Sequence, residues 1–329
     1  AMGFYHNEHE PLDADVMIVD ETSMVDLTLM HSLLRALRPG CRLILVGDPD
    51  QLPSVGAGNL FSDLLRSERL ETVRLTEIFR QARQSLIVMN AHAVNHGQMP
   101  VLNDTSRDFF FMKRPPEAVA ATVRDLCHHR LPDNMHIPAS QIQVLSPTRR
   151  GPTGTAHLNE ILQESLNPPA PDKPQKQYGG VTFRLGDRVM QIRNNYDLFW
   201  RQTGGFGSGT GVFNGDMGVI TAMDLREETL CVSFDDDREA TYAFDQLGEL
   251  ELAYAMTVHK SQGSEYRAVV MVVSGGSSLL HTRGVLYTAI TRARELLVLV
   301  GEAQVVANMT ANDRQARRYS GLRLRLCAP

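Results

Sequence analysis

The sequence predicts an α/β protein in which two sheet units follow one another and a small all-β barrel interrupts the second. Three observations predict this fold class. Near the start, an apolar strand, an amphipathic helix and another apolar strand follow in order, and the same order returns from about residue 105. Between these and a final α/β stretch lie short alternating segments separated by turns. Uniformly apolar strands separated by helices are typical of parallel sheets covered on both faces.

The first unit, residues 1–100, opens with "ADVMIVDE" and "CRLILVGD", which read as buried strands. Between them "LTLMHSLLRAL" carries apolar residues at i, i+3 and i+4, the period of a helix with one buried face. The segments "AGNLFSDLLRS" and "QSLIVMNAHAVNHG" predict further helices. We therefore expect a parallel sheet with helical crossovers here.

The second unit, residues 101–170 and 251–329, repeats the pattern. Its strands are "RDFFFMKR", "QIQVLSPTRR", "RAVVMVVS" and "ELLVLVG", and its helices include "EAVAATVRDLCHHR" and "GTAHLNEILQESLN". The stretch "PPAPDKPQKQYGG", 168–180, has linker composition. After it, short alternating segments such as "MGVITAMD" and "TLCVSFD", broken by "GGFGSGTG" and "FNGD", predict the inserted barrel, residues 171–250.

Composition excludes several classes of protein. The chain has 329 residues, of which 43% are hydrophobic, enough for a real core. Its longest apolar runs fall short of the roughly 20 residues of a membrane helix, so no membrane contact is expected. The four cysteines form no CxxC pair, which argues against a zinc knuckle or a disulfide framework and favours a reducing cytoplasm. A net charge of −5 means that nucleic acid would be held by local grooves.

Two pairs of polar residues follow the strands of the first unit. "VMIVDETSMVD" ends its strand with Asp20 and Glu21, and "VGDPDQLPSVGAG" places Asp48 and Gln51 at the end of the next. Open α/β sheets bind ligands at the carboxyl ends of their strands. An isolated acid pair could equally cap a helix and face solvent, but two such sites in succession favour a binding site.

Together with "LTEIFRQ", "TVHKSQGSEY" and "LYTAITRA", these segments resemble, in order, the motifs of superfamily 1 DNA helicases, more closely the RecD-like branch (the exodeoxyribonuclease V alpha-subunit/RecD-TraA family). The resemblance covers residues 10–305. It implies two RecA-like P-loop NTPase motor domains and an SH3-like barrel inserted in the second. No G-x-x-x-x-G-K-[ST] loop is present, and Ala1 before Met2 is typical of a cloning scar. We therefore expect the C-terminal motor portion, with its first domain truncated at the N-terminus.

The resemblance implies ATP and Mg²⁺ as cofactors. Asp20 would bind Mg²⁺, usually through water, and Glu21 would polarise the attacking water, because a hard cation prefers oxygen ligands and the water needs a proton acceptor. Gln51 would sense the γ-phosphate, and two arginines would act as arginine fingers. The two arginines are Arg80 and Arg292. Asp48, Gly263 and Glu265 complete the residues implied at the nucleotide, with Glu265 at the sugar.

Single-stranded DNA and duplex junctions are the implied substrates, with subunits of a helicase–nuclease complex as further partners. The strand would cross both motor domains, held by its phosphates. The implied contacts are Pro53, Ser54 and Val55 on the first domain and Thr148, Thr257, His259 and Lys260 on the second. Movement from 5′ toward 3′ and a role in recombination or repair also follow from the resemblance alone.

Three other interpretations stay open at this point. The chain could be a catalytically silent single-stranded DNA-binding fragment, or the helicase half of a conjugative relaxase–helicase. It could also be a nuclease that uses Asp20, Glu21 and Asp48 as a two-metal cluster, although the glutamine and arginine motifs would then have no role.

Overall fold

A computed structural model describes residues 4–75, 84–275, 279–314 and 320–328. The described strands are β1 (Val16–Val19), β2 (Arg42–Leu45), β3 (Phe109–Lys113), β4 (Ile142–Ser146), β5 (Gln175–Tyr178), β6 (Val181–Arg184), β7 (Arg188–Gln191), β8 (Asn195–Gln202), β9 (Ser208–Val212), β10 (Met217–Asp224), β11 (Thr229–Phe234), β12 (Arg238–Ala243), β13 (Leu250–Leu252), β14 (Ala255–Thr257), β15 (Tyr266–Val273) and β16 (Ala293–Gly301). The described helices are α1 (Leu27–Ala36), α2 (Leu60–Ser67), α3 (Leu86–Asn95), α4 (Pro116–Asp125), α5 (Leu131–Met135), α6 (Thr155–Leu166), α7 (Arg283–Thr291), α8 (Ala303–Ala311) and α9 (Leu322–Cys327), with a π-helical turn at Leu126–Arg130. None of these helices is long and apolar enough to cross a membrane.

The first unit contains β1 and β2, paired in parallel with Val16 opposite Arg42. The strands and helix α1 confirm the predicted elements, but the prediction that both strands are buried is wrong. Val16 and Ile18 are 49% and 62% exposed, and Ile44 is also exposed. Within the described residues the two strands pair only with each other, so one face of the sheet carries apolar side chains without a covering layer.

The second unit is a five-stranded parallel sheet in the order β14-β4-β15-β16-β3. Alternate residues of β15 enter different cores: Val269 and Met271 pack in the cluster that includes α3, α7 and α8, and Val270 packs in the cluster that includes α4 and α6. Each fully buried aliphatic side chain contributes about 1.5–3 kcal/mol. This doubly covered sheet, as predicted, is therefore the main apolar core.

Helix α3 joins the two units. It lies before the predicted domain boundary at residue 100, yet Leu86, Ile87 and Val94 pack in the core of the second sheet. Ser85 caps its N-terminus by accepting from Val88 N, and Asp108 accepts from Leu86 N at 2.7 Å. The acid just before β3 therefore fixes the start of α3.

The inserted barrel is a seven-stranded antiparallel sheet in the order β13-β7-β10-β11-β12-β8-β9, with β5 and β6 as a separate hairpin. Along β11, buried and half-buried residues alternate with the period of two that a strand imposes. The inward residues Leu230, Val232 and Phe234 share one core with Tyr242 of β12 and Phe183 of β6.

Glycines misled the prediction at two places in this region. The predicted linker 168–180 contains β5, which pairs with β6 across Gly179 and Gly180. Both glycines have positive φ, 56° and 83°, which suits a two-residue hairpin turn. The predicted break "GGFGSGTG" contains most of β9: a Cβ on Gly209 would lie 2.7 Å from the Trp200 ring, so this glycine makes room for the ring.

A buried carboxylate, Asp187, ties the barrel to the second unit. It accepts hydrogen bonds from Gln163 Nε2 (2.6 Å), Asn167 Nδ2 (2.6 Å), Arg184 N (2.7 Å) and Tyr254 OH (2.9 Å). Burial raises the pKa of Asp187, and the hydrogen bonds act in the opposite direction. Because these donors come from α6 and from both ends of the insert, one side chain fixes where the barrel attaches.

We expect Asp187→Asn to lower the free energy of unfolding by about 2–4 kcal/mol, because an amide nitrogen would face donors and leave a buried donor unsatisfied, at about 1–3 kcal/mol each. Urea denaturation followed by circular dichroism measures the change. Asp172→Asn, at an exposed aspartate of the same region, is the matched control. Equal midpoints for the two variants would show that the hydrogen bonds to Asp187 do not hold the barrel in place.

Candidate functional site

Two carboxylates stand at the carboxyl end of β1. Glu21 has left-handed backbone angles, φ 49° and ψ 40°, and its N–H donates to Asp20 Oδ1 at 2.8 Å. Such a conformation in a residue other than glycine costs about 1–3 kcal/mol, so the surroundings must enforce it. The next residue supplies that constraint, since buried Thr22 donates from its N–H to Val46 O at 2.9 Å. The turn is thereby fixed to the second strand.

Two buried polar atoms of the first unit have no hydrogen-bond partner among the described residues: Ser23 Oγ in this turn and Gln51 Oε1 in the loop after β2. Both side chains are 8% exposed. An unsatisfied buried polar group costs about 1–3 kcal/mol, and it is typical of a site that receives a polar ligand. Sequence reasoning selected Gln51 but missed Ser23, although a hydroxyl directly after "DET" was a usable signal.

The loop after β2 crosses to the second unit. Leu52 N donates to Thr288 Oγ1 at 3.0 Å, and Gln262 Nε2 donates to Leu52 O at 2.6 Å. Tyr287 OH donates to Asp48 Oδ2 at 2.8 Å. We call these contacts between residues 48–52 and the second unit the seam. Both strand-end loops that the sequence singled out, 48–52 and 257–265, therefore contribute to one interface.

Burial raises the pKa of Tyr287, and the neighbouring Asp48 carboxylate adds to the effect. The phenol therefore stays a hydrogen-bond donor throughout the physiological pH range. Asp50 in the same loop accepts from Asn95 Nδ2 of α3 at 2.8 Å. Helices α3 and α7 thus hold the loop from two directions.

Arg292 lies directly after α7 and is 4% exposed. Its guanidinium donates to Thr288 O (3.3 Å), Ser264 O (3.1 Å) and Thr291 Oγ1 (3.3 Å), all uncharged oxygens. The helix ends at Thr291, and Arg294 belongs to β16, where the chain extends to pair with β15. Thr288 joins Arg292 to the seam, since its hydroxyl accepts from Leu52 N.

Of the implied nucleotide residues, Asp48 and Gln51 lie in the loop of the seam, and Arg292 is bonded to Thr288 beside it. Gly263 has φ 75°, and a Cβ there would lie 3.6 Å from Met24 Sδ, so the loop before β15 reaches the turn that follows Glu21. Glu265 is exposed and lines a cavity of about 380 Å³ that the second unit shares with the barrel. Arg80 lies outside the described residues.

The predicted DNA contacts occupy two places. On the first unit Ser54 is buried, Pro53 is half-buried and Val55 is 86% exposed. On the second, Thr257 ends β14 opposite Ser146 of β4, and Thr148 follows β4 by two residues. His259 and Lys260 lie in the helical turn Val258–Ser261 that follows β14. All four residues of the second unit are half-buried at the carboxyl edge of its sheet.

A carboxylate of the barrel holds two cations at that edge. Glu251 of β13 binds Lys260 Nζ at 2.8 Å through one oxygen and Arg149 Nη2 at 2.6 Å through the other. Sequence reasoning missed both Glu251 and Arg149. No motif signals them, because the contact joins residues more than 100 positions apart.

The described part of the chain contains no group of three or more His, Cys, Asp or Glu side chains arranged to hold a metal ion. Cys127, His128 and His129 lie in the π-helical turn, where burial raises the pKa of Cys127 to about 12 and the two imidazoles stack 4.1 Å apart. At the end of β1 the available donors are oxygens, the type that suits Mg²⁺.

Comparison with protein families matches three consecutive regions. Residues 5–108 match an AAA domain, residues 158–234 match the SH3 domain of ATP-dependent RecD-like DNA helicases, and residues 252–300 match a UvrD-like helicase C-terminal domain. The match to the RecD-like SH3 domain agrees with the predicted SH3-like insertion in an α/β chain.

Curated relatives cover nearly all of this chain. The ATP-dependent RecD2 DNA helicase of Deinococcus radiodurans is 36% identical over 96% of the chain and 40% of its own length. The RecBCD enzyme subunit RecD of Mycolicibacterium smegmatis is 33% identical over 98% of the chain and 56% of its own length. The chain thus spans about half the length of these relatives.

Solved structures share the fold. Pif1 helicase from Bacteroides, in complex with ADP-AlF3 and ssDNA, matches with a TM-score of 0.53 and 20% identity over 92% of this chain and 73% of that one. Pif1 helicase from Candida albicans matches with a TM-score of 0.51 and 21% identity over 89% and 73%. These structures support the predicted fold class, RecA-like α/β units with an SH3-like insertion. The RecD relatives and the match to the RecD-like SH3 domain show that the chain belongs to the RecD-like DNA helicase family.

Proposed function

We propose that this chain is the C-terminal motor portion of an ATP-dependent DNA helicase that moves 5′ to 3′ on single-stranded DNA in recombination or repair. The observation that carries the proposal is the seam. There the loop that carries Asp48 and Gln51 of the first unit is bonded to Tyr287, Gln262 and Thr288 of the second, and Thr288 in turn holds Arg292. A phosphate group held between the units would contact both, which is the arrangement that nucleotide-driven closure requires.

Each side chain has a chemical part to play. Asp20 offers oxygen to a hydrated Mg²⁺, and Glu21 accepts a proton from the attacking water. The unpartnered Oε1 of Gln51 suits an acceptor for that water or for its hydrogen-bond network. Among the described residues Arg292 donates to uncharged oxygens, so its guanidinium can exchange them for phosphate oxygens with a gain in charge pairing. Asp48, Gly263 and Glu265 complete the proposed nucleotide residues, together with Arg80.

The seam also supplies a route for coupling. A shift of Gln51 moves Leu52, and Leu52 is bonded to Thr288 and Gln262. Thr288 in turn holds Arg292. Thr257 and Lys260, two of the proposed DNA contacts, lie in the same short segment of chain as Gln262. Nucleotide state and grip on DNA would thereby change together.

The exposed apolar face of β1 and β2 supports the fragment part of the proposal. Side chains such as Val16, Ile18 and Ile44 are characteristic of strands covered on both faces, and here one face is open. We infer that another segment of the parent protein covers this face and supplies the phosphate-binding loop. Without that loop, this chain would bind single-stranded DNA but would not turn over ATP.

For the parent protein, single-stranded DNA and duplex junctions are the proposed substrates. The names of the RecBCD-subunit relatives also make a helicase–nuclease complex a proposed setting. The helicase half of a conjugative relaxase is the remaining alternative for the parent.

We expect Glu21→Gln in the parent protein to lower kcat for DNA-stimulated ATP hydrolysis by about 10²–10⁴-fold with little change in KM, because the amide cannot accept the proton. A coupled phosphate-release assay measures both constants. Glu10→Gln, at an exposed glutamate upstream of β1, is the control and should retain full activity. Wild-type turnover by the Glu21→Gln variant would remove the proposed catalytic role.

For this chain alone, we expect no ATP hydrolysis above background, with or without oligo(dT), in the same assay. The expected reason is the lack of a phosphate-binding loop. Turnover at the rate of the parent helicase would contradict the fragment interpretation.

We expect Glu251→Gln to tighten binding of oligo(dT), because it releases Lys260 and Arg149 from their shared carboxylate. If both cations then contact phosphates, the slope of log K against log salt steepens by about 0.7 for each. Fluorescence anisotropy across a salt series measures affinity and slope.

Glu227→Gln removes the same charge from an exposed turn of the barrel and serves as the control, with a slope equal to that of the wild type. If Glu251→Gln behaves like Glu227→Gln, Lys260 and Arg149 are not phosphate contacts.

A further inference from the structure

An aromatic surface lies on one hairpin of the barrel. We call residues 193–213, which include β8 and β9, the aromatic hairpin. Its exposed large hydrophobic side chains are all aromatic: Tyr196 (55% exposed), Phe199 (50%), Phe206 (fully exposed) and Phe213 (41%). Large aromatic side chains usually stabilise a fold by being buried. Four exposed rings on one hairpin therefore indicate a binding surface.

The hairpin presents these rings on a fixed backbone. Trp200 packs over Gly209 of the opposite strand, where no Cβ intervenes. Asn195 Oδ1 accepts from Asp197 N and Leu198 N at 3.2 and 3.0 Å, which shapes the irregular start of β8. Tyr196 and Phe213 meet edge to face with centroids 5.6 Å apart.

Charge on the hairpin favours an anionic partner. It contains two arginines, Arg193 and Arg201, and one acid, Asp197. The Arg201 guanidinium lies 5.7 Å from the centroid of the Phe199 ring. A half-exposed ring with a cation over one face can accept a further planar group by stacking.

The base of the hairpin adjoins the proposed DNA contacts of the second unit. Asn195 Nδ2 donates to Glu249 Oε2 at 3.0 Å, and Gln191 Nε2 donates to the same oxygen at 2.9 Å. Two residues later, Glu251 binds Lys260 and Arg149. One short chain segment therefore connects the hairpin to the cations at the edge of the parallel sheet.

We propose that the aromatic hairpin is a stacking platform for unpaired bases of a single-stranded nucleic acid whose phosphates lie along Lys260 and Arg149. The proposal rests on the proposed function and adds a second, base-contacting surface to it. Apart from the Tyr196–Phe213 pair, the rings are spread along the hairpin, and Phe206 at its tip is fully exposed, so they do not form the continuous patch that a protein partner would bury. Separate rings with open faces suit separate planar bases.

The test compares two oligonucleotide probes of equal length on this 329-residue chain: oligo(dT), and an abasic strand that has the same phosphates without bases. Stacking predicts that the wild-type chain prefers oligo(dT). In Phe199→Ala/Phe206→Ala, oligo(dT) affinity falls roughly five- to hundredfold while abasic affinity stays the same. Restoring a ring as Phe206→Trp in the Phe199→Ala background should recover part of the preference.

Leu225→Ala, which removes an exposed aliphatic side chain from another turn of the barrel, is the matched control and should leave both affinities unchanged. Equal wild-type affinity for the two probes, or an unchanged preference in the double variant, would overturn this inference and leave the proposed function intact. A change only in self-association, measured by sedimentation, would assign the rings to a protein interface and also overturn it. A wild-type chain that binds neither probe would overturn both proposals.

Discussion

The geometry of the candidate site depends on one buried residue, Thr288. Its hydroxyl accepts from Leu52 N of the first unit, and its carbonyl accepts from Arg292 Nε of the second. Helix α7 carries both bonds, and packing of Val285, Leu286 and other apolar side chains against the parallel sheet sets the position of that helix. Packing in the apolar core of the second unit therefore fixes the position of α7. Through Thr288 it also fixes the position of the first unit's loop 48–52.

The seam combines hydrogen bonds with packing of Leu52 in the apolar core of the second unit, and the small net contribution of the hydrogen bonds has a physical consequence. A hydrogen bond contributes only about 0.5–1.5 kcal/mol net, whereas an unsatisfied buried group costs more than a bond provides. The two arrangements of such an interface, with and without a ligand, can therefore differ little in free energy. Ser23 Oγ and Gln51 Oε1 are unsatisfied in the present arrangement. A ligand that pairs with them would favour a changed arrangement, which is the property a cyclic motor requires.

Sequence patterns predicted the features that depend on local periodicity and motif order. The buried strand β15, helices such as α1 and α6, and the acids at the end of β1 all follow from short stretches of chain. Other features depend on contacts across long separations. The exposure of Ile18 depends on which segments cover its sheet. The formation of β9 depends on the close approach of Trp200 to Gly209. Glu251 binds its two cations only when the barrel packs against the second unit. Glycine was ambiguous because the same residue serves turns and close packing.

The insertion is built as part of the second unit, and this explains how a barrel can influence a motor domain. Its two connections are bonded to each other through Tyr254 and Asp187, so the barrel cannot pivot about a loose joint. Strand β13 ends just before β14, which belongs to the parallel sheet and leads directly to Lys260. A force applied to the barrel would therefore reach the carboxyl edge of the sheet through two covalently adjacent strands and through Glu251. In the proposed DNA complex Glu251 would compete with phosphates for the same cations, so displacement of the barrel and binding of a nucleic acid strand would be thermodynamically linked.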